Sequence, residues 1–433
     1  MLPKELRINL KKGENFVVEG PSVIHVLSGK LDSLGVTFST KDRIVVPELK
    51  SLPFIVEEDC ELDIRLPTQD YFVKASASIP SEWFSVLDKI AEGTKPFTAI
   101  ILGDIDSGKT TLTTFLANKL LSRGFKVAIV DADTGQKDIG PPATIGMRIM
   151  EHPTLILSTI KEDKAIFVGS TSPSRIMERH IAGVLLLVSE ALQHGAEAIL
   201  VNTTGWVYGR DARELKTIMI ASLKPKYLVA IQRSNELEHL LKPFYYTSTE
   251  IFRLSHPEYI RSRNRNERRN IRTKKFRMHL SGSKTVTLSI DKVGFHFSYL
   301  GAGIPVEEAY KENIKAVIGE SPVYCEKSKD SLLLLFDKKV NLSENTISEL
   351  KGLAEDREIK ILSSLDIKNV LCGLMDRNYN FLGLAVLEEV DFESRTIKLF
   401  TKVPKFKIAS IQVGSIKVDR DGVELGWIGE WFL

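Results

Sequence analysis

The chain has 433 residues, 43% of them apolar and 27% charged, and a formal net charge of +3. This length predicts two or three domains, and so small a net charge means that any nucleic-acid binding must rest on local basic clusters. Three separated cysteines argue against a disulfide framework or a zinc site. The longest apolar run is too short to cross a bilayer, so we expect a soluble, cytoplasmic protein.

Residues 1–88 predict an N-terminal β domain, because short apolar runs alternate there with turn residues. No catalytic motif occurs in this part of the sequence, and we expect a structural or adaptor role for it. A helix predicted from Ser81 to Ile90 leads into a second domain, which we place at residues 89–280.

The second domain contains the strongest motif of the chain. Residues 103–110, GDIDSGKT, fit the phosphate-loop pattern G-x-x-x-x-G-K-[ST] between an apolar strand and a run with helical spacing. Such a loop curls its N–H groups around a phosphate, so we predict nucleoside triphosphate binding. Lys109 would reach the β- and γ-phosphates and Thr110 would bind Mg²⁺. The residues expected to bind the nucleotide are Gly103, Asp106, Ser107, Gly108, Lys109, Thr110 and Thr111.

Alternating strands and helices up to residue 280 predict an α/β domain with a central parallel sheet. Its second strand, 126–130, is followed by Asp131 and Asp133, where such folds place carboxylates near Mg²⁺ and the γ-phosphate. In extended geometry both side chains face one side. The alternative is a surface turn, since Asp and Gly favour turns.

Later strands are expected at 165–168, 198–201 and 227–231, and the first two lead into polar loops. The loop 169–173 is rich in hydroxyls and could line a ligand crevice, although its composition is also that of a plain turn. Trp206 follows a strand end beside Gly205. Its two interpretations are half-buried packing and a stacking platform for a base.

The stretch 261–277 contains nine basic residues and a single acid, Glu267. At helical spacing its arginines lie near one another, and like charges destabilise a free helix. We therefore expect an anion here, either ATP phosphates, a nucleic-acid backbone or both. A solvated basic face or linker is the alternative.

Residues 281–433 predict a C-terminal β-rich α+β domain, in which we find no catalytic motif. Helices are expected at 342–353 and 364–371. A hairpin is expected from Phe381 to Val403, with Asp391 at its bend.

Five motifs follow one another in order: the phosphate loop, 131–136, 169–173, 203–206 and the arginine stretch. With these the sequence resembles the polynucleotide 5′-hydroxyl kinases, a family that includes the RNA kinase of the eukaryotic pre-mRNA cleavage factor and the nucleolar kinase of rRNA processing. It is most similar in style to archaeal members. The resemblance implies a P-loop NTPase domain flanked by the two β-rich domains. It also implies ATP-dependent transfer of the γ-phosphate to the 5′-hydroxyl of RNA, or also of DNA, in RNA processing or repair.

The resemblance further implies roles for individual residues. Asp133 would orient or deprotonate the 5′-hydroxyl, and Trp206 would stack on the terminal base. Catalytic residues would be Lys109, Asp133, Arg263 and Arg268. Mg²⁺ would be held by Thr110, Asp133 and Asp131. The acceptor would be contacted by Gln136, Thr171, Ser172, Trp206, Arg269 and Arg272, with Thr171 and Ser172 in a clasp that holds its first phosphate.

The implied partners are ATP, Mg²⁺ and single-stranded or duplex-end RNA or DNA with a 5′-hydroxyl. RNA-processing proteins could bind through the flanking β domains, and no membrane is involved. Two other functions stay open. One is a non-catalytic, ATP-bound scaffold of an RNA-processing complex. The other is an ATP- or GTP-driven switch or small-molecule ligase of related sheet topology.

Overall fold

The computed structural model describes residues 4–429 and Leu433. The chain forms two compact units. The first unit contains residues up to 140 together with 145–165 and 177–268, and the second contains 141–144, 166–176 and 269 onwards. The three-part division at residues 88 and 280 stays a prediction.

The N-terminal part of the first unit is an antiparallel sheet, which agrees with the β-structure expected there. Its order is β4-β3-β6-β2-β7, with β1 on β6 and β5 on β3. Its strands are β1 (Lys4–Leu10), β2 (Asn15–Glu19), β3 (Ser22–Ser33), β4 (Val36–Ser39), β5 (Arg43–Val46), β6 (Ser51–Leu66) and β7 (Phe72–Ala75).

The phosphate loop belongs to a second sheet, of order β11-β10-β9-β12-β8-β13-β14. Its strands are β8 (Phe97–Gly103), β9 (Val127–Asp131), β10 (Thr144–Ile149), β11 (Lys164–Phe167), β12 (Ala198–Asn202), β13 (Tyr227–Ile231) and β14 (Glu250–Leu254). The helices of this part of the chain are α1 (Ser81–Glu92), α2 (Lys109–Ser122), α3 (Met177–Gln193), α4 (Arg210–Leu223), α5 (Glu238–Leu241) and α6 (Arg265–Leu280).

The predicted parallel sheet is confirmed in its centre. β9, β12, β8, β13 and β14 run parallel, and β8 lies between β12 and β13. The central strands are buried along their length, as expected when both faces of a sheet are covered. The sequence prediction omitted β10, which runs antiparallel to β9, and β14. Both segments mix apolar residues with arginine, so neither shows a clear strand pattern.

The two sheets of the first unit share one hydrophobic core, which includes Phe16 and Phe54 from the N-terminal sheet and Trp83 and Phe115 from the helices. Polar contacts also join them. The Asn118 side chain on α2 donates to the Leu34 carbonyl at 2.8 Å. Among the residues described, no helix is long and apolar enough to cross a membrane.

The second unit is β-rich, as expected. Its larger sheet has the order β15-β23-β22-β21-β24-β16, with β25 on β24, and a smaller sheet has the order β17-β18-β19-β20. Their strands are β15 (Lys284–Ser289), β16 (Gly294–His296), β17 (Ile304–Pro305), β18 (Tyr324–Lys327), β19 (Ser331–Phe336), β20 (Glu358–Ser363), β21 (Val370–Met375), β22 (Phe381–Asp391), β23 (Thr396–Thr401), β24 (Ser410–Val418) and β25 (Glu424–Trp427). Three helices accompany them, α7 (Glu308–Ile318), α8 (Glu344–Ala354) and α9 (Ser364–Ile367).

The predicted hairpin is confirmed as β22 and β23, and the Asp391 side chain accepts two backbone N–H groups at the bend. The helix predicted at 364–371 is wrong beyond residue 367. Lys368 is extended, and Asn369 has a left-handed φ of 68°, which ends the helix. The chain then enters the fully buried strand β21.

Candidate active site

The phosphate loop joins β8 to α2 in the geometry that its glycines predict. Gly108 has φ of +95°, a left-handed value that favours glycine, and a Cβ on Gly103 would lie 2.3 Å from the Ser107 hydroxyl. Ser107 is fully buried, whereas Thr110 and Thr111 are half-buried in the first turn of α2. The loop therefore presents the start of α2 to the carboxyl edge of the sheet.

Lys109 is 7% exposed, and its Nζ donates to the Asp104 carbonyl at 2.5 Å. Burial lowers its pKa to about 8, while the carboxylates of Asp133, Asp104 and Asp106 oppose that shift. A buried ammonium near carboxylates and a helix N-terminus is suited to bind the phosphates of a nucleotide.

Asn202, at the end of β12, links the phosphate loop to the loop after β9. Its Nδ2 lies 3.3 Å from the Thr110 hydroxyl and 3.4 Å from Asp131 Oδ1. Its Oδ1 is buried without a hydrogen-bond partner in the described part of the chain. Hydroxyl and carboxylate oxygens are ligands that Mg²⁺ accepts directly or through water, so the Thr110 hydroxyl and the Asp131 carboxylate fit a magnesium ion. The sequence prediction missed Asn202, although its place directly after an apolar strand was a usable signal.

Asp131 is fully buried and organises the loop that follows it. Its Oδ2 accepts the N–H groups of Asp138 and Ile139 at 2.7 and 2.9 Å, and its Oδ1 lies 3.2 Å from the Asp133 N–H. The Lys137 ammonium lies 3.5 Å from Asp131 Oδ2. The Ala132 N–H donates to the Asn202 carbonyl at 2.9 Å, so pairing with β12 continues one residue past β9, and the chain bends from residue 134. That both aspartate side chains face one side stays a prediction.

Asp133 is half-buried and lies two residues beyond Asp131. Its Oδ1 accepts the N–H groups of Gln136 at 2.8 Å and Gly135 at 3.0 Å, which fixes the orientation of the carboxylate. Among the described residues no hydrogen bond engages Oδ2. Burial raises the pKa of Asp133 despite these two N–H groups, which moves it towards the range of a general base.

Two buried basic side chains support these loops, and the sequence prediction missed both. His180 on α3 lies 2.8 Å from the Ala132 carbonyl through Nε2, and burial lowers its pKa to about 4. The imidazole is therefore neutral near pH 7, with Nε2–H as the donor. Lys216 on α4 donates to the carbonyl and hydroxyl oxygens of Thr204 at 3.0 and 3.2 Å, and burial lowers its pKa to about 7.

Trp206 follows this supported segment and is half-buried. A Cβ on Gly205 would lie 2.7 Å from the Ile105 backbone, so the 203–206 segment packs directly on the phosphate loop. The Thr203 hydroxyl also donates to the Ile101 carbonyl at 2.8 Å. The backbone that carries Trp206 is thereby fixed beside the phosphate loop.

The first part of the arginine stretch, also in the first unit, binds carboxylates. Arg268 Nη2 donates to Asp106 Oδ2 at 2.8 Å, and Arg263 Nη1 lies 3.6 Å from Asp106 Oδ1. The Arg263 guanidinium also donates to the Leu49 carbonyl at 2.9 Å, and Arg261 binds Glu19 at 2.6 Å. The buried Nε of Arg268 has no hydrogen-bond partner in the described residues.

The second unit contains the other residues that were predicted to contact the acceptor strand. The Thr171 hydroxyl donates to Glu424 Oε1 at 2.7 Å, and Arg272 Nε donates to Glu424 Oε2 at 2.8 Å. Arg269 donates to the backbone carbonyl of Glu424 at 3.0 Å. Ser172 is exposed, with its hydroxyl 2.9 Å from that of Ser174. Thr171, Arg269 and Arg272 are thus brought together by Glu424, which the sequence prediction missed.

A phosphate loop between a buried central strand and a helix, with carboxylate and amide groups at the ends of the neighbouring parallel strands, defines a P-loop nucleotide-binding protein. Residues 103–282 match the family profile described as the mRNA cleavage and polyadenylation factor CLP1 P-loop. The chain belongs to the polynucleotide 5′-hydroxyl-kinase family with this P-loop domain.

Relatives support this membership over most of the chain. It is 34% identical over 354 residues to a polyribonucleotide 5′-hydroxyl-kinase of Methanocaldococcus jannaschii, covering 81% of this chain and 95% of the relative. It is 32% identical over 349 residues to one of Pyrococcus abyssi, covering 80% and 95%. The fold is similar to that of Clp1p in a Clp1p–Pcf11p complex, with a TM-score of 0.65 at 13% identity over 96% of this chain and 99% of that one.

Proposed function

We propose that this protein is an ATP-dependent kinase that transfers the γ-phosphoryl group of ATP to the 5′-hydroxyl of RNA. Similarity to kinases of that name over about four fifths of the chain carries the proposal. Lys109, Thr110 and Asp133 supply the chemical groups that such a reaction needs. DNA stays a second acceptor to be tested.

Lys109 would move from the Asp104 carbonyl to the β- and γ-phosphates, where burial makes its charge more effective. Arg268, through its free Nε, and Arg263, through its guanidinium, would stabilise the negative charge on the transferred phosphoryl group. Asp133 Oδ2 would accept the proton of the attacking 5′-hydroxyl, with Oδ1 held in place by Gly135 and Gln136.

Mg²⁺ is the cofactor that we propose beside ATP, held by Thr110 and Asp133 with Asp131 and Asn202 next to it. When bound, the ion would neutralise charge on the β- and γ-phosphates. Asp131 contributes mainly through the loop, because its Oδ2 already accepts two backbone N–H groups.

The acceptor would stack its terminal base on Trp206, which requires no particular base. Its first phosphate would bind Thr171, Ser172, Arg269 and Arg272, and Gln136 would contact the acceptor near Asp133. RNA-processing proteins are proposed to bind through the flanking β-rich parts of the chain.

The test is transfer of γ-labelled phosphate from ATP to 5′-hydroxyl oligonucleotides, RNA and DNA in parallel, with and without EDTA. We expect Mg²⁺-dependent transfer that is lost in Asp133→Asn. The matched control is Asp163→Asn. Asp163 lies near the same sheet, its carboxylate accepts a hydrogen bond from Arg148 at 2.6 Å, and it has no part in the proposed reaction. Tight ATP binding without transfer to either strand would refute the kinase and favour the nucleotide-bound scaffold.

A further inference from the structure

Glu424, the first residue of β25, binds three of the residues proposed to hold the acceptor phosphate. Its two carboxylate oxygens separately accept the Thr171 hydroxyl and the Arg272 Nε–H. Its side chain is 14% exposed and that of Arg272 is 21% exposed, so the ion pair is largely shielded from water. All of these residues belong to the second unit.

A carboxylate held by a hydroxyl and a guanidinium uses the donor set that a phosphate oxyanion also uses. The Thr171 hydroxyl has a single hydrogen, and so does the Arg272 Nε. Neither hydrogen can serve Glu424 and a phosphate at full strength together. A phosphate at this place would also be repelled by the nearby carboxylate.

We propose that Glu424 is an intramolecular competitor of the acceptor phosphate, and that its displacement sets the affinity for acceptors. The inference rests on the proposed function and specifies its substrate class. An acceptor must bring a phosphate of its own to replace the carboxylate, so an oligonucleotide is accepted and a nucleoside, which has no phosphate, is disfavoured.

The surroundings of Glu424 allow this exchange. β25 pairs with β24 at the edge of its sheet, through only a few residue pairs and with a register irregularity between Lys417 and Val418. Trp427, at the other end of β25, stacks on the Arg175 guanidinium at 3.5 Å. The Glu424 side chain can therefore rotate away while Trp427 and the backbone contact with Arg269 keep the strand in place.

Glu424→Gln tests the inference, because it keeps the volume and removes the charge. Glu388 offers a matched control in the same unit, since its carboxylate also binds a threonine hydroxyl, Thr285 at 2.8 Å, and an arginine, Arg420. Its side chain is 14% exposed, the same fraction as that of Glu424. Glu388→Gln removes an ion pair of the same residue types, with a more exposed arginine (61% for Arg420 against 21% for Arg272), and it involves none of the residues proposed to bind the acceptor.

The measurements are the acceptor KM in the transfer assay and the Kd of a 5′-phosphorylated RNA, which cannot be phosphorylated again at that end. For Glu424→Gln we expect both to fall by about three- to tenfold, the effect of removing one competing, partly shielded charge. The ATP KM and kcat of Glu424→Gln should stay within about twofold of the wild-type values. Glu388→Gln should match the wild type in both the acceptor KM and the Kd of the RNA. Melting temperatures of the three proteins show whether they are equally folded.

An unchanged or raised acceptor KM and Kd in folded Glu424→Gln would overturn the inference. The two proposals fail separately. If the wild type transfers phosphate but Glu424→Gln shows no gain, only the competitor role is lost. If no protein transfers phosphate but Glu424→Gln binds RNA more tightly, the kinase proposal is lost and the competitor role stands.

Discussion

Lys216 gives the sharpest test of the electrostatics around the candidate active site. Its ammonium is fully buried on α4, and burial lowers its pKa from 10.5 to about 7, with a further lowering by the charge of Lys109. In the unfolded chain the pKa returns to its ordinary value. Between pH 7 and 10.5 the unfolded state therefore binds more protons than the folded state, and stability rises with pH.

The perturbation is Lys216→Met, which keeps the length of the side chain and removes the titrating group. One proton difference changes the free energy of unfolding by about 1.4 kcal/mol per pH unit, so between pH 7.5 and 9.5 the Lys216 contribution rises by roughly 2–3 kcal/mol. Methionine also leaves both Thr204 oxygens without their donor, which costs about 1–3 kcal/mol at every pH. We thus expect the free energy of unfolding of the wild type to increase steadily relative to that of the variant as the pH rises.

Urea unfolding of both proteins at half-unit steps from pH 7.5 to 9.5 measures this difference. Groups that titrate in both proteins cancel when the two curves are subtracted. Lys161→Met is the control, because Lys161 is exposed, and it should follow the wild-type pH dependence. A difference between wild type and Lys216→Met that stays constant over this range would refute the assignment of a lowered pKa to Lys216.

Three further predictions concern the proposed reaction. Arg268→Lys keeps the charge but loses the planar guanidinium with its free Nε, and we expect transfer to fall by about 10²–10³ in a single-turnover assay while ATP binding persists. Trp206→Ala should raise the acceptor KM by about tenfold or more through lost stacking, and Trp206→Phe should recover most of the loss. His180→Phe removes the donor to the Ala132 carbonyl, so the loop that carries Asp133 loses its support. We expect kcat to fall with little change in the KM of ATP or of the acceptor. An unchanged kcat would exclude that positioning role.

The elements around the phosphate loop could be predicted because their signals are local. The strand before Gly103, the helix after Gly108 and the apolar strands β9, β12 and β13 each carry their pattern within a few residues, and the structure places them within a few residues of the expected ends. The central helix of the arginine stretch was likewise indicated by spacing, although it begins only at Arg265. β10, β14 and the early end of α9 were not predictable in this way, since their backbone is set by neighbouring strands and by the left-handed Asn369.

The candidate site shows the same limit more sharply. Lys109 and Thr110 belong to one recognisable motif and Asp133 to another, but side chains that support the neighbouring loops come from elsewhere in the chain. His180 binds the Ala132 carbonyl, and Lys216 binds Thr204. Thr171 and Glu424 are 253 positions apart in the sequence, and nothing local to either predicts their hydrogen bond. A lysine or histidine on an ordinary helix carries no sign of burial until the helix has packed.

The arginine stretch is also paired with carboxylates from distant parts of the chain, and this affects how it would bind a ligand. Its density of positive charge predicted a bound anion, and in the structure carboxylates of the chain itself take that place. Asp106 pairs with Arg263 and Arg268, and Glu424 pairs with Arg272. These carboxylates neutralise the arginines before any ligand arrives, which offsets the like-charge repulsion that destabilises the helix. Phosphates that bound these arginines would therefore replace existing ion pairs, and their net affinity would be the difference between the binding of two anions. Glu424 is not among the residues proposed to contact a ligand, so substituting it would change acceptor affinity without removing such a contact, and this separates it experimentally from the arginines that it binds.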